Sequence, residues 1–371
     1  MMLRAHTLQM WVSMLFFVCG IHQIAPAGRA LAEGATSVHA SAMRTAQPDP
    51  GFSARIVARR SLLYTDGAEK AADRLAYARA GSGIAWIGDR LAVIQDDAHF
   101  VALVEPETGM ADAIALPADE KGRRLFDDSR GLKHLKMDLE SCFARSDGEG
   151  VTLTALGSGS TELRTRIVRL HFASPGASPE VRLTEGGPLY RALIADRRFS
   201  GSGLNVEGAV ARGDDLLLFQ RGNAAAIATH PAVNAIGRLS LRHFDRFLAG
   251  DPVPPPLIDV VQVDLGSEGG VPYGFTDATL TPDGDLLFLA SAEDSQNTVS
   301  DGAVFGTRFG IVDRTGGIRT GRLLDERGAP SRLKAEAIAL DPHDPTRAWV
   351  VVDIDDPTRP SELLEVRLTR R

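Results

Sequence analysis

Four acids recur at one place in a repeated phrase of this 371-residue chain: Glu140, Glu207, Asp277 and Glu336, at spacings of 67, 70 and 59 residues. Ser82, 58 residues before Glu140, takes the same place in a weaker upstream copy. If these positions converge in space, four like charges share one partly desolvated site. They persist there only if protonated, solvated or neutralised by a cation. Oxygen ligands of high charge, with no His or Cys in the set, suit a hard ion: Ca²⁺ first, Mg²⁺ second. Ser82, Glu140, Glu207, Asp277 and Glu336 are therefore the candidate metal ligands. The other reading is a water-filled polar channel whose acids bond to neighbouring backbone.

The phrases that carry these residues describe the elements that must position them. They are "SGIAWIGDRLAVIQDD", "LESCFARSDGEGVTLTALGSGS", "VEGAVARGDDLLLFQRGN", "TDATLTPDGDLLFLASAED" and "AEAIALDPHDPTRAWVVVDIDD". Each reads as a strand, a turn rich in Gly, Asp or Pro, and a second strand. More amphipathic strands follow, such as "RIVRLHF", "GRLSLRHF" and "LIDVVQVDL". Four antiparallel strands per unit, repeated around an axis, describe an all-β fold, a β-propeller. A sandwich is the competing all-β form and needs no repeated inner pair. The copies give five four-stranded blades, with six as the alternative. The N-terminal segment Ala54–Asp66 is placed to supply the last blade's outer strand and close the ring.

In such a ring the first strand of each blade lines the channel. The second runs antiparallel to it, so the second strand's end returns to the face where the first begins. Those ends are polar: Asp96 and Asp97, Ser158 and Ser160, Arg221 and Asn223, Glu293 and Asp294, Asp353 and Asp355. Two residues before the acids, on the same strand face, lie Asp138, Asn205 and Lys334; upstream of the second blade "SRGLKHLKMD" holds Lys133, His134 and Lys136. Arg221, Lys334, Lys133, His134, Asn205 and Asp138 are the candidate ligand-binding residues. Acids about an axis flanked by Arg and Lys suit an anionic ligand held through a central cation. Solvated loop ends are the plainer explanation for any single one of them.

Composition places the chain in a compartment. Residues 1–32 carry Arg4, an apolar run from about Met10 to Ile21 and Ala30-Leu31-Ala32, the layout of a cleaved secretory signal. Export to the periplasm or the extracellular space follows, with no membrane span after cleavage. Residues 33–52 are small and polar and read as a flexible lead-in, leaving 53–371 as a single propeller domain. Removing Arg4 and Arg29 shifts the formal net charge from −7 to −9. No basic cluster points to nucleic acid, and a monomer is expected. Cys142 is the one cysteine left after cleavage, so no intrachain disulfide can form. It reads as a buried, inert thiol. No G-x-S-x-G elbow and no H-E-x-x-H zinc motif is present.

The series Ser82, Glu140, Glu207, Asp277, Glu336 resembles the axial ion site of the calcium-activated nucleotidases (soluble apyrases), five-bladed propellers that hold Ca²⁺ with one Glu or Ser side chain per blade. Asp277 stands where that family would be expected to use Ser. "NVEGAV" and "KAEAIALDP" resemble inner strands of phytase-like secreted propellers, and "DLES", "ALGSGS" and "DDPTRPSELLEV" are similar to a bacterial propeller family without assigned function. The resemblance implies a secreted Ca²⁺-dependent hydrolase of phosphorylated or other anionic small molecules. The alternative is a non-catalytic propeller that binds a ligand or protein partner and has a structural ion or polar channel.

Overall fold

The computed structural model describes residues 43–174, 176–295 and 302–370. The expected signal and the first ten residues of the lead-in lie outside the described residues. Three strands open the described chain: β1 (Met43–Thr45), β2 (Gln47–Ser61) and β3 (Leu63–Tyr64). Five four-stranded meanders follow. The first is β4 (Gly81–Ile87), β5 (Arg90–Gln95), β6 (Phe100–Val104) and β7 (Met110–Ala115). The second is β8 (Leu139–Asp147), β9 (Gly150–Gly157), β10 (Arg166–Phe172) and β11 (Glu180–Glu185). Helices α1 (Gly187–Ala195) and α2 (Arg197–Ser200) lead to β12 (Val206–Arg212), β13 (Asp215–Gln220), β14 (Asn234–Ser240), helix α3 (Leu241–Leu248) and β15 (Asp259–Asp264). After the short β16 (Ser267–Glu268) come β17 (Val271–Leu280), β18 (Leu286–Asp294), β19 (Ala303–Val312) and β20 (Ile318–Leu324). The last meander is β21 (Lys334–Leu340), β22 (Arg347–Asp353) and β23 (Glu362–Arg370), with β2 as its fourth strand. The fold is all-β. Among the described residues no helix is long and apolar enough to cross a membrane.

Each strand pairs antiparallel with the next in its meander, as short turns such as Gly213-Asp214 dictate. The first strands touch in a cycle: β4 with β8, β8 with β12, β12 with β17, β17 with β21, and β21 with β4. Apolar clusters follow the same cycle. Ile94 and Val101 pack with Leu153 and Val168; Leu156 and Ile167 with Leu216 and Leu218; Phe219 with Phe275 and Phe288. Leu287 and Phe309 pack with Val350 and Leu364, and Trp349 and Val351 with Leu91 and Val93. Each meander thus buries both faces against its neighbours, which explains why its central strands are apolar along their whole length.

The N-terminal segment behaves differently from its composition. Residues 43–52, expected in the flexible lead-in, are largely strand. β1 lies parallel on β15, β2 parallel on β20 and antiparallel on β23, and β3 parallel on β7. These contacts are made through backbone, so small and polar side chains do not prevent them. They cover outer strands that would otherwise expose unpaired N–H and C=O groups.

"GRLSLRHF" is also not one strand. The strand stops at Ser240, whose hydroxyl accepts from the His243 amide as the cap of α3. Leu241, Phe244, Phe247 and Leu248 then bury one helical face against the core.

Candidate axial site

All five first strands slip by one residue against their partners. The unpaired residue is Ser82 in β4, Glu140 in β8, Glu207 in β12, Thr276 in β17 and Glu336 in β21. A bulge of this kind leaves one residue outside the ladder and re-aims its side chain. The shared slot is therefore occupied by three glutamates and two hydroxyls. Thr276 is the slot residue, and Asp277 is not. Matching by charge misplaced the register by one residue, which in a strand moves a side chain to the opposite face.

The two hydroxyls act alike. Ser82 Oγ donates to Leu139 O at 2.5 Å, and Thr276 Oγ1 donates to Ala335 O at 2.8 Å. Asp277 instead turns one oxygen to the Ile338 amide at 2.8 Å, while its Oδ1 has no partner. Burial pushes that carboxyl well above its usual range.

Ser82, Glu140, Glu207, Glu336, Asp138, Asn205, Arg221 and Lys334 line one cavity of about 50 Å³. Asp277 does not. Lys133 and His134 sit on a short turn of 3-10 helix; Lys133 lines an adjoining cavity of about 80 Å³ and pairs with Asp128 at 3.5 Å. His134 is exposed and lines neither cavity. Asp96, Lys136, Glu293 and Asp353 complete the axial wall. Their positions at the polar strand ends and in the stretch before β8 were visible in the sequence, but nothing there singled them out.

The wall carries seven carboxylates (Asp96, Asp138, Glu140, Glu207, Glu293, Glu336, Asp353) and three bases (Lys136, Arg221, Lys334). Every base is engaged. Lys136 Nζ bridges Asp96 and Asp138, 2.6 Å from the latter. Arg221 reaches Glu207 at 3.3 Å and also binds Glu293. Lys334 lies 2.9 Å from Asp355, 3.5 Å from Glu336 and 3.8 Å from Glu293. Asn205 donates to Glu207 at 2.6 Å.

Glu140 accepts no hydrogen bond among the described residues. Its carboxylate lies within 4.8 Å of those of Asp96 and Asp138, a grouping able to hold a metal ion. The ammonium of Lys136 already bridges the Asp96–Asp138 half of that grouping, so an ion is better placed toward Glu207 and Glu336.

The electrostatics are those of crowded acids. Burial, then repulsion from Asp138 and Glu207, drives Glu140 well above its usual range. Burial pushes Glu207 up to about 8 despite Arg221, and raises Glu336 despite Lys334. Asp138 goes the other way: Lys136 and Arg164 outweigh its burial and keep it ionised. It holds a left-handed backbone, φ 56°, at a residue type that tolerates it. At the other end of the first strands a cavity of about 190 Å³ is lined by Ile84, Trp86, Cys142, Val210, Leu280 and Ala339, and is largely apolar. Cys142 is buried there and its thiol is pushed up by burial, as an inert side chain should be.

A protein-family model described as "Family of unknown function (DUF6929)" matches residues 77–368. The chain belongs to that family. The DUF6929 match takes in every slot residue and leaves β1 to β3 outside it. No curated protein sequence matches the chain. Among solved structures it is similar to Myxococcus xanthus glutaminyl cyclase, at 13% identity and TM-score 0.40, covering 86% of this chain and 97% of that one. It is similar to a mannose phosphorylase from Leishmania mexicana at 12% and 0.40, covering 84% and 88%. An α-L-arabinanase from Penicillium chrysogenum stands at 9% and 0.41, covering 84% and 98%. For this DUF6929 chain, the nucleotidase resemblance rests on the axial residues alone.

Proposed function

We propose that the chain is an exported five-bladed β-propeller, closed by β2, that holds a divalent cation on its axis and works as a hydrolase-like enzyme on a small ligand reaching that ion. The cycle of first-strand contacts and the matching cycle of apolar clusters support the five-bladed ring. One observation carries the cation: Glu140 is a buried-wall carboxylate without a donor, facing Glu207 and Glu336 across a cavity with four more acids than bases. Ca²⁺ fits the donor set best, with Mg²⁺ second, because glutamate and hydroxyl oxygens are hard ligands and the carboxylates are not arranged as a rigid octahedron.

Glu140, Glu207 and Glu336 would hold the ion, with Ser82 and Thr276 contributing hydroxyl oxygens. A bound divalent ion supplies positive charge and a polarised water. Asp353, on the same wall, is pushed up to about 7 by burial and is suited to carry a proton near neutrality.

A second reading, a structural ion with no chemistry, is favoured by one observation: Lys136, Arg221 and Lys334, expected to steady an anion, are all ion-paired within the wall. Metal content of the purified protein, followed by a screen of ester, phosphoester and lactone substrates with and without chelator, separates the two. Bound Ca²⁺ with chelator-sensitive turnover supports the enzyme; bound Ca²⁺ without turnover supports the structural ion. An N-terminus at Glu33 in the exported fraction tests secretion.

A further inference from the structure

The axial cavity constrains its ligand by hydrogen-bond direction. We infer that it takes a neutral, polyhydroxylated molecule whose neighbouring hydroxyls reach the cation, and that it discriminates against anions. This rests on the cation reading above and refines it.

Carboxylates only accept hydrogen bonds, and Lys and Arg only donate them. The charged donors of the wall are spent inside it: Arg221 on Glu207 and Glu293, Lys334 on Glu336 and Asp355. The third, Lys136, is spent on Asp96 and Asp138. What a ligand meets is therefore a wall of acceptors. Seven carboxylates against three bases leave four negative charges, and a divalent ion removes only half of that. A phosphate entering would bring acceptors to acceptors and negative charge to negative charge, in a low-dielectric cleft that focuses the field. An ammonium ligand fits no better. The gaps between acids of adjacent meanders already hold Lys136, Arg221 and Lys334, and the ion itself repels a further cation.

Hydroxyl groups satisfy both demands. Their oxygens can ligate a hard ion, and their protons can be given to carboxylates, of which Glu140 has no donor of its own among the described residues. Size agrees. The axial cavity of about 50 Å³ and its neighbour of about 80 Å³ share Ala80, Asp96, Lys136 and Asp353. Each has room for only a few water-sized groups, enough for the diol-bearing end of a molecule.

The test is calorimetric titration of Ca²⁺ into the full-length mature chain. It is run alone and with low-millimolar glycerol, mannitol or methyl glucoside, then with inorganic phosphate or methylammonium. At least one neutral probe should tighten Ca²⁺ binding several-fold, and Ca²⁺ should tighten that probe by the same factor. Phosphate, corrected for its complex with Ca²⁺ in solution, and methylammonium should not. Tightening by phosphate or methylammonium, or by none of the neutral probes, overturns the inference while leaving the ion in place. A chain that binds no Ca²⁺ overturns the cation reading and this inference with it.

Discussion

Ser82 and Thr276 make the same hydrogen bond from equivalent bulges: each hydroxyl donates to the carbonyl immediately before the next slot glutamate, Leu139 O before Glu140 and Ala335 O before Glu336. The slot series is thus Ser, Glu, Glu, Thr, Glu, and the two hydroxyls each fix the backbone that presents a glutamate. The departure from the nucleotidase pattern at Asp277 becomes a conservative exchange of Ser for Thr at the neighbouring position.

Thr276 and Asp277 should therefore respond differently to substitution. Thr276→Val keeps the shape but leaves the Ala335 carbonyl without its donor. It should cost about 1 kcal/mol and shrink the stabilisation given by Ca²⁺. Asp277→Asn should leave the Ca²⁺ response unchanged. Thermal melts with and without Ca²⁺ compare the two, and a loss of response confined to Asp277→Asn would return Asp277 to the slot.

Lys136 is the built-in counter-ion of Asp96 and Asp138, and only 4% exposed. Lys136→Met leaves two neighbouring acids facing each other in a buried wall. A loss of roughly 3–5 kcal/mol is expected, as for other broken buried pairs. Added Ca²⁺ should recover part of it, since Asp96, Asp138 and Glu140 then lack a cation. Urea unfolding measures both effects, and an unchanged midpoint would show that the pair contributes nothing.

Proton linkage gives a further test. Glu207 is pushed up to about 8 in the folded chain, above its model value of 4.5. A carboxyl raised on folding costs nothing below its unfolded pKa and destabilises increasingly as pH rises through the folded value. The chelated protein should accordingly lose stability between about pH 5 and pH 8, and Ca²⁺ should remove that slope. Ca²⁺ binding near neutrality should also release protons, seen as a binding enthalpy that changes with the ionisation heat of the buffer. Buffer-independent enthalpy would mean that the acids are already ionised without the ion.

A chain beginning at residue 65 lacks the strands that cover β7, β15, β20 and β23. It should melt lower and self-associate through the bared edges. Size-exclusion chromatography and melting would show it, and a stable monomer would mean that these strands are dispensable.

The repeated strand pairs were legible because apolar runs and Gly-Asp turns impose them locally. The slot was legible to within one residue. Glu140, Glu207 and Glu336 announce themselves by charge in apolar strands, whereas Thr276 is one hydroxyl beside a more conspicuous acid, and only the ladder register tells them apart. β1 and the start of β2 were illegible because their pairing uses backbone alone. Helix α3 was hidden inside an apolar run that suits a strand as well as a helical face. Lys136 and Glu293 gain their roles only when neighbouring meanders bring opposite charges together.

The most direct measurement of the central claim is the melting temperature of wild type and Glu207→Gln with chelator and with Ca²⁺. Free Ca²⁺ at a hundredfold excess over Kd should stabilise wild type by about 2.7 kcal/mol, reversed by chelator. Glu207→Gln preserves shape, removes one charge from the ring and should shrink that response. Without a cation the sign reverses: removing one of several repelling carboxylates leaves stability unchanged or raises it. A chelator-insensitive wild type together with a Glu207→Gln variant that melts higher would contradict the cation and leave a solvated polar channel.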